Sequence, residues 1–117
     1  MATLAERRAE LVAVVPSGTT VLGKRQPPYV AVIGDGIAFD QVVRGEVEAS
    51  FRLAMIAGGW DEEAAVKQLD TMKHAVMTAV RALAGYTIGP LGRDGRRSIA
   101  GADYLAADLT VTATVTI

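Results

Sequence analysis

Four stretches of the chain carry periodic apolar positions, and each predicts an element. Near the start, Leu4, Leu11, Val12 and Val15 fall broadly on one helical face, while Glu6, Arg7 and Glu10 are free to stay in water. Thr3 and Glu6 have capping-box spacing, and Pro16 disfavours helical backbone at Val15, so this helix should end near Val14. From Gly45 to Ala57 the period is two: Val47, Ala49, Phe51, Leu53 and Met55 on one face, Glu48, Ser50 and Arg52 on the other. From Asp61 to about Ala84 the period returns to that of a helix, with Ala65, Leu69, Met72, Val76, Ala79 and Leu83 as the apolar stripe. Glu63, Lys67, Asp70, His74, Thr78 and Arg81 form its polar stripe, Asp61 is its cap and Gly85 its stop. From about Tyr104 to Ile117 the alternation is unbroken: Leu105, Ala107, Leu109, Val111, Ala113, Val115 and Ile117 against Asp108, Thr110, Thr112, Thr114 and Thr116.

Between these stretches the signals are weaker. Residues 16–28 read as a connection punctuated by Pro and Gly, with a short edge strand from Thr19 to Leu22. Tyr29 to Ile33 is apolar on both faces and predicts a central or doubly covered strand. Gly34-Asp35-Gly36 predicts a turn, after which Ile37 to Val43 returns as a weaker strand. Residues 89–98, with Gly92, Gly95 and three arginines, predict a mobile polar loop. The order of elements predicts the α+β class: a single domain over 1–117, mainly an antiparallel sheet, with the N-terminal helix and the long amphipathic helix packed on it.

Composition narrows the function. The chain has 117 residues, 12 Lys and Arg against 13 Asp and Glu, and no Cys. The balanced charge argues against a dedicated nucleic-acid or membrane-surface binder. Without Cys there are no disulfides, thiolate metal sites or Cys nucleophiles, which fits a reducing compartment. No apolar run approaches the roughly 20 residues of a membrane span, and the N-terminus does not read as a secretory signal, so a cytosolic protein is expected.

Candidate chemistry is thin. Gly18 to Lys24 has the Gly-x4-Gly-Lys spacing of a phosphate loop, but Arg25 replaces the hydroxyl residue, and the segment follows a helix rather than a strand. Gly34-Asp35-Gly36 fails as a dinucleotide fingerprint because Phe39 stands at the third glycine position. His74, the only histidine, has Asp70 four residues before it, yet a solvated helix face explains it better than a general base does. Asp61, Glu62 and Glu63 fit capping and the helix dipole rather than a metal site. Trp60 is read as core rather than interface anchor. No catalytic, cofactor-binding or metal-binding residues are assigned.

Two groups suggest contacts. Arg93, Arg96 and Arg97 either are solvated or meet an acidic partner or DNA phosphate. The threonine face of the last strand either meets water or meets a neighbour; beyond Asp108 its edge has neither Lys nor Pro to discourage pairing.

The layout resembles the tail terminator proteins of long-tailed bacteriophages, also called minor tail or tail completion proteins. The resemblance rests on the N-terminal helix, on Pro27-Pro28-Tyr29-Val30-Ala31-Val32-Ile33, and on Phe39-Asp40 followed by Arg44-Gly45. It continues through the alternating strand to Met55, the helix from Asp61 to Ala84, and the run from Ile99 to Leu109 with the terminal strand. It implies a virion structural protein: a small α+β subunit, not an enzyme and without a cofactor. Such subunits form a hexameric ring at the head-proximal end of the tail and are assembled in the host cytoplasm. The implied partners are further copies of the chain, the tail tube protein and the head–tail connector or stopper protein. The ring ends tube elongation, and DNA passes through its lumen without sequence-specific binding; no membrane is involved.

No binding residue carries over by motif. From exposure and loop position the candidate interface residues are Arg93, Arg96, Arg97, Asp40, Arg44, Thr110, Thr112, Thr114 and Thr116. Related head–tail connector proteins share size and make-up. A small dimeric α+β ligand-binding domain or enzyme is the alternative from another class; it would need a pocket with His74 or Asp40 turned into it.

Overall fold

A computed structural model describes residues 3–15, 19–21, 24–26, 28–43, 46–58, 61–99 and 101–116. Among these residues two helices and seven strands follow in the order α1 (Leu4–Val14), β1 (Thr19–Val21), β2 (Lys24–Gln26), β3 (Tyr29–Val43), β4 (Glu46–Ile56), α2 (Glu62–Arg81), β5 (Tyr86–Leu91), β6 (Gly95–Ile99) and β7 (Ala102–Thr116). The α+β class is as expected: β3, β4, β7 and β5 form an antiparallel sheet in that order, with β6 continuing beside β7.

The sheet centre is the β4–β7 pair, in register from Glu46 opposite Thr116 to Ile56 opposite Ala106. Phe51 lies opposite Val111 and Leu53 opposite Leu109, so the apolar sets of both strands share one face and, apart from partly buried Leu105, are buried among the described residues. Leu69, Met72, Val76 and Val80 of α2 are buried in the same core, as is Leu11 of α1. Val80 rather than Ala79 or Leu83 completes the stripe, because the helix ends at Arg81 and Leu83 lies in the following turn, half-buried. The polar stripe from Glu63 to Arg81 is exposed as expected. Asp61 caps α2, its Oδ1 accepting from the Ala64 N–H at 2.7 Å. Thr3 caps α1 by accepting from the Glu6 N–H at 3.3 Å, and α1 ends at Val14.

Several expectations need correction. β3 does not turn at Gly34-Asp35-Gly36; it runs on for 15 residues, and a register shift between Gly34 and Gly36 absorbs Asp35 as an extra residue opposite β4. Glycines permit a bulge as readily as a turn, and β4 offers pairing on both sides of it as far as Ala38, beyond which a second register shift separates Ala38 from Val43. Nor is β3 central: it pairs only with β4 among the described residues and forms an edge of the sheet. Thr19–Val21 is a strand, but it pairs with β2 in a separate hairpin within the expected connection. This strand pairing also removes the helix that a phosphate loop would open.

Residues 89–98 are not a polar loop. β5 and β6 run one after the other along β7, interrupted only at 92–94. The extra residues are taken up by a register shift between Ile88 and Leu91 and by the 92–94 interruption, where the Gly92 N–H still donates to the Asp108 carbonyl at 2.7 Å. Ile99 pairs with Ala102 across a two-residue connection whose Gly101 has φ +86°. β7 is consequently interior as far as Ala113, with β4 on one side and β5–β6 on the other, so Thr110 and Thr112 are not at the free edge expected from composition; beyond Ala113 that side meets only the Thr3–Thr116 bridge and the Arg7 side chain on the Thr114 carbonyl among the described residues.

Candidate interaction surfaces

α1 and α2 share one face of the sheet core, and the opposite face carries no helix among the described residues. Thr110, Thr112, Thr114 and Thr116 line that helix-free face with Glu48, Ser50 and Arg52 of β4. Thr114 is exposed and the other three threonines are partly exposed. Among the described residues two buried side-chain atoms have no hydrogen-bond partner, the Arg52 Nε and the Thr116 Oγ1, and both belong to this face. Both atoms are closed to solvent within the chain, and Ala54, Ile56 and Ala106 of the same face are buried as well, so the Ala54–Ile56 end of the face is covered while Glu48 and Thr114 remain exposed.

The arginine group expected to act together is divided by strand alternation. Arg96 lies opposite Leu105 on the helix side, where Nη2 comes 3.5 Å from the Glu62 carboxylate at the start of α2. Arg97 lies opposite Tyr104 on the helix-free side and reaches the Asp108 carboxylate at 3.4 Å. Arg93 is exposed in the interruption, beside Asp94, whose carboxylate is held by Lys73 of α2. The three arginines still line one shallow cavity of about 150 Å³, floored by Gly92, Gly95, Ala106, Ala107 and Asp108. A second cavity of about 100 Å³ lies on the other side of Arg96, between Asp61, Glu62, Asp103 and Tyr104. Thus Arg96 separates a basic hollow from an acidic one.

Asp40 lies in the distal half of β3, and Arg44 and Trp60 lie outside the described residues. His74 is exposed on α2. Asp70 points its charge to Lys73 at 3.8 Å rather than to His74, so the Asp–His pair considered from spacing is not formed. Among the described residues no three His, Asp or Glu groups are placed to hold a metal ion, and no helix is long and apolar enough to cross a membrane.

Arg7 was missed by sequence reasoning. It does not stay in water: its side chain is 14% exposed and joins three elements. Nε donates to the Thr114 carbonyl at 3.3 Å, Nη1 donates to the Ala84 carbonyl at 3.2 Å, and the guanidinium lies 5.1 Å from the centre of the Tyr86 ring. The Tyr86 hydroxyl donates back to the Arg7 carbonyl at 2.8 Å. Val12, assigned to the buried stripe of α1, is instead 45% exposed. The signal for Arg7 was only local, an arginine three residues before Glu10; nothing in the sequence points to Thr114, over 100 residues away.

Comparison of the sequence with protein-family models and with curated protein sequences finds no match to either.

Proposed function

We propose that this chain is a structural ring subunit of a long-tailed phage, placed at the head-proximal end of the tail tube to end its elongation and offer a surface to the head connector. The reading starts from the sequence resemblance to tail terminators. What supports it beyond resemblance is the helix-free sheet face, where Glu48 and Thr114 are exposed and Ser50, Thr110 and Thr112 partly so. Hydroxyl and guanidinium groups on a flat sheet suit a protein neighbour that supplies acceptors and donors. A closed cyclic assembly needs two different complementary patches on each subunit, and the helix-free face and the sheet edges are the surfaces we assign to that role.

The test is a mass measurement combined with class averages down the symmetry axis, for the protein alone and added to purified tail tubes. A closed ring of about six copies, and tubes that stop growing once it binds, are expected from the resemblance. A strict monomer both in solution and at tube ends overturns the reading.

A further inference from the structure

α1 is held to the sheet by fewer apolar side chains than α2. Of its residues only Leu11 is buried, with Val15 just beyond its end, whereas α2 buries Ala65, Leu69, Met72, Val76 and Val80. Leu4 is partly buried, and Val12 and Val14 are exposed. The polar part of the attachment gathers on Arg7. Its guanidinium donates to the Thr114 and Ala84 carbonyls and lies over the Tyr86 ring, while the Tyr86 hydroxyl donates to the Arg7 carbonyl. Ahead of the helix, Thr3 makes one isolated bridge to Thr116. After it, β1 and β2 pair with each other and with no strand of the main sheet among the described residues. α1 can therefore leave without breaking any strand ladder of the main sheet.

The place α1 occupies gives that freedom a consequence. β5 begins at Tyr86, opposite Ala113, so Thr114 to Thr116 have no strand beside them on that side of β7 among the described residues. The N-terminal segment stands there instead: Arg7 fills the Thr114 carbonyl, and Thr3 meets Thr116. Covering an edge with a helix or loop is one way in which sheets keep it from pairing, and this stretch has neither Lys nor Pro to do so by itself. We propose that α1 is a strap, which comes off the sheet as a unit while α2 and the main sheet stay folded, and that Arg7 is its latch. Opening α1 breaks the burial of Leu11 and Val15 and the contacts of Arg7; opening β4 breaks an 11-residue ladder and the centre of the core. Segments with less to break open at lower free energy than the whole molecule. Arginine suits a latch because its planar fork serves two carbonyls at once, and hydrogen bonds from a charged donor outweigh neutral ones. A helix of 11 residues is too short to persist alone in water, so α1 unwinds as it leaves. The device lies within one copy and stands or falls apart from the ring reading.

The experiment is native-state hydrogen exchange on the full chain, repeated in low concentrations of urea. The amides of α1 should exchange together, with protection about 100-fold below that of the β4 amides. Their exchange should also depend less on urea, because opening α1 exposes little surface. Arg7→Met keeps an aliphatic stem but has no donor, and it should speed exchange in α1 about tenfold. The chain has no cysteine, so single thiols give a second measurement that stands even if Arg7→Met does not fold. Leu11 and Leu53 are both fully buried. A maleimide should label Leu11→Cys much faster than Leu53→Cys, since only the first is uncovered by the strap. Equal protection and equal urea dependence in α1 and β4, or equal labelling at the two thiols, would mean that α1 leaves only when the whole chain unfolds, and would overturn the strap. Unaltered α1 exchange in folded Arg7→Met would overturn Arg7 as the latch.

Discussion

β4 and the β5–β6 segment flank the same strand, β7, but they are held to it by different means. β4 is paired with β7 over 11 consecutive residues without a break, and its inward side chains meet those of α2 in the core. β5–β6 covers a similar length of β7 with a register shift and an interruption. Its attachments to α2 include the side-chain ion pairs Lys73–Asp94 and Arg96–Glu62. The first region is fixed by apolar burial, which is insensitive to salt and pH; the second adds polar contacts at the surface, which water and ions compete for. A sheet built this way is held continuously at its centre and with interruptions along this edge.

Breaking the centre should have the largest effect. Leu69 is fully buried where α2 meets the sheet face of Phe51 and Leu109. Leu69→Ala should cost about 2–5 kcal/mol by leaving a cavity. Denaturant melts measure this, and a change below the range of surface substitutions would mean that α2 does not anchor the sheet.

The same contrast decides what could be read from the sequence. Where an element has a strong period and buries one face, its residues state their own structure: β4, α2 and β7 lie within a few residues of where their patterns put them. Gly34-Asp35-Gly36 and residues 89–98 have turn chemistry, but they lie against long strands whose ladders accept them as bulged strand. Pairing with a distant partner overrides local propensity there. The candidate interface was legible only as residue types. That Arg96 and Arg97 leave on opposite faces depends on their being strand, and that they meet Glu62 and Asp108 depends on topology. The position of β7 inside the sheet also follows from β5–β6, so misreading that segment as loop turned an interior strand into an apparent edge.

Next in size is the junction between the two regions, at the end of α2. Gly85 has φ +87°, and a Cβ there would lie 2.7 Å from the Arg7 Nη2. Gly85→Ala should therefore cost about 1–3 kcal/mol from backbone strain, with a further loss as Arg7 is pushed off the Thr114 and Ala84 carbonyls. Gly101→Ala is the control: its φ is +86°, but nothing lies within 4 Å of its Cβ position, so it should show the backbone cost alone. Equal melting shifts for the two would mean that Arg7 does not tie α1 to the sheet.

A smaller effect separates burial from charge at Tyr86. Burial raises the phenol above its ordinary value of 10.0, the Glu10 carboxylate adds to this, and Arg7 opposes it through its hydrogen bond and charge. The folded state thus holds the phenol proton more tightly than the unfolded chain. That contribution is fully present below the unfolded value and is lost as pH rises through the folded one. Tyr86→Phe removes the 2.8 Å hydrogen bond to the Arg7 carbonyl and should cost about 0.5–1.5 kcal/mol at neutral pH. Above pH 10 its stability should decline less steeply than that of the wild type, as urea melts across the alkaline range would record. Parallel declines would place the titration elsewhere.

The smallest expected effect lies at the edge itself. Lys73 is 18% exposed and holds Asp94, whereas the Glu63–Lys67 pair on the outer face of α2 is 84% and 78% exposed at 3.5 Å. Two charges open to water gain little because solvent screens them and both side chains lose freedom, so the outer pair should couple by close to zero. The Lys73 pair sits against the sheet edge with less solvent around it, so its coupling should reach the upper part of the 0–1 kcal/mol range for surface pairs, about 0.5–1 kcal/mol. Double-mutant cycles with alanine at each position separate the two couplings from the single losses. The local consequence is more telling than the energy. Asp94 follows Arg93 in the interruption, where the Gly92 N–H donates to the Asp108 carbonyl. Lys73→Ala should let this stretch open more often and speed hydrogen exchange at Gly92, while the amides of β4 exchange at the wild-type rate. Added salt should shift the wild type in the same direction. Faster exchange throughout β7 and β4 would mean that edge and centre unfold together, and that the edge has no freedom of its own to offer a neighbour.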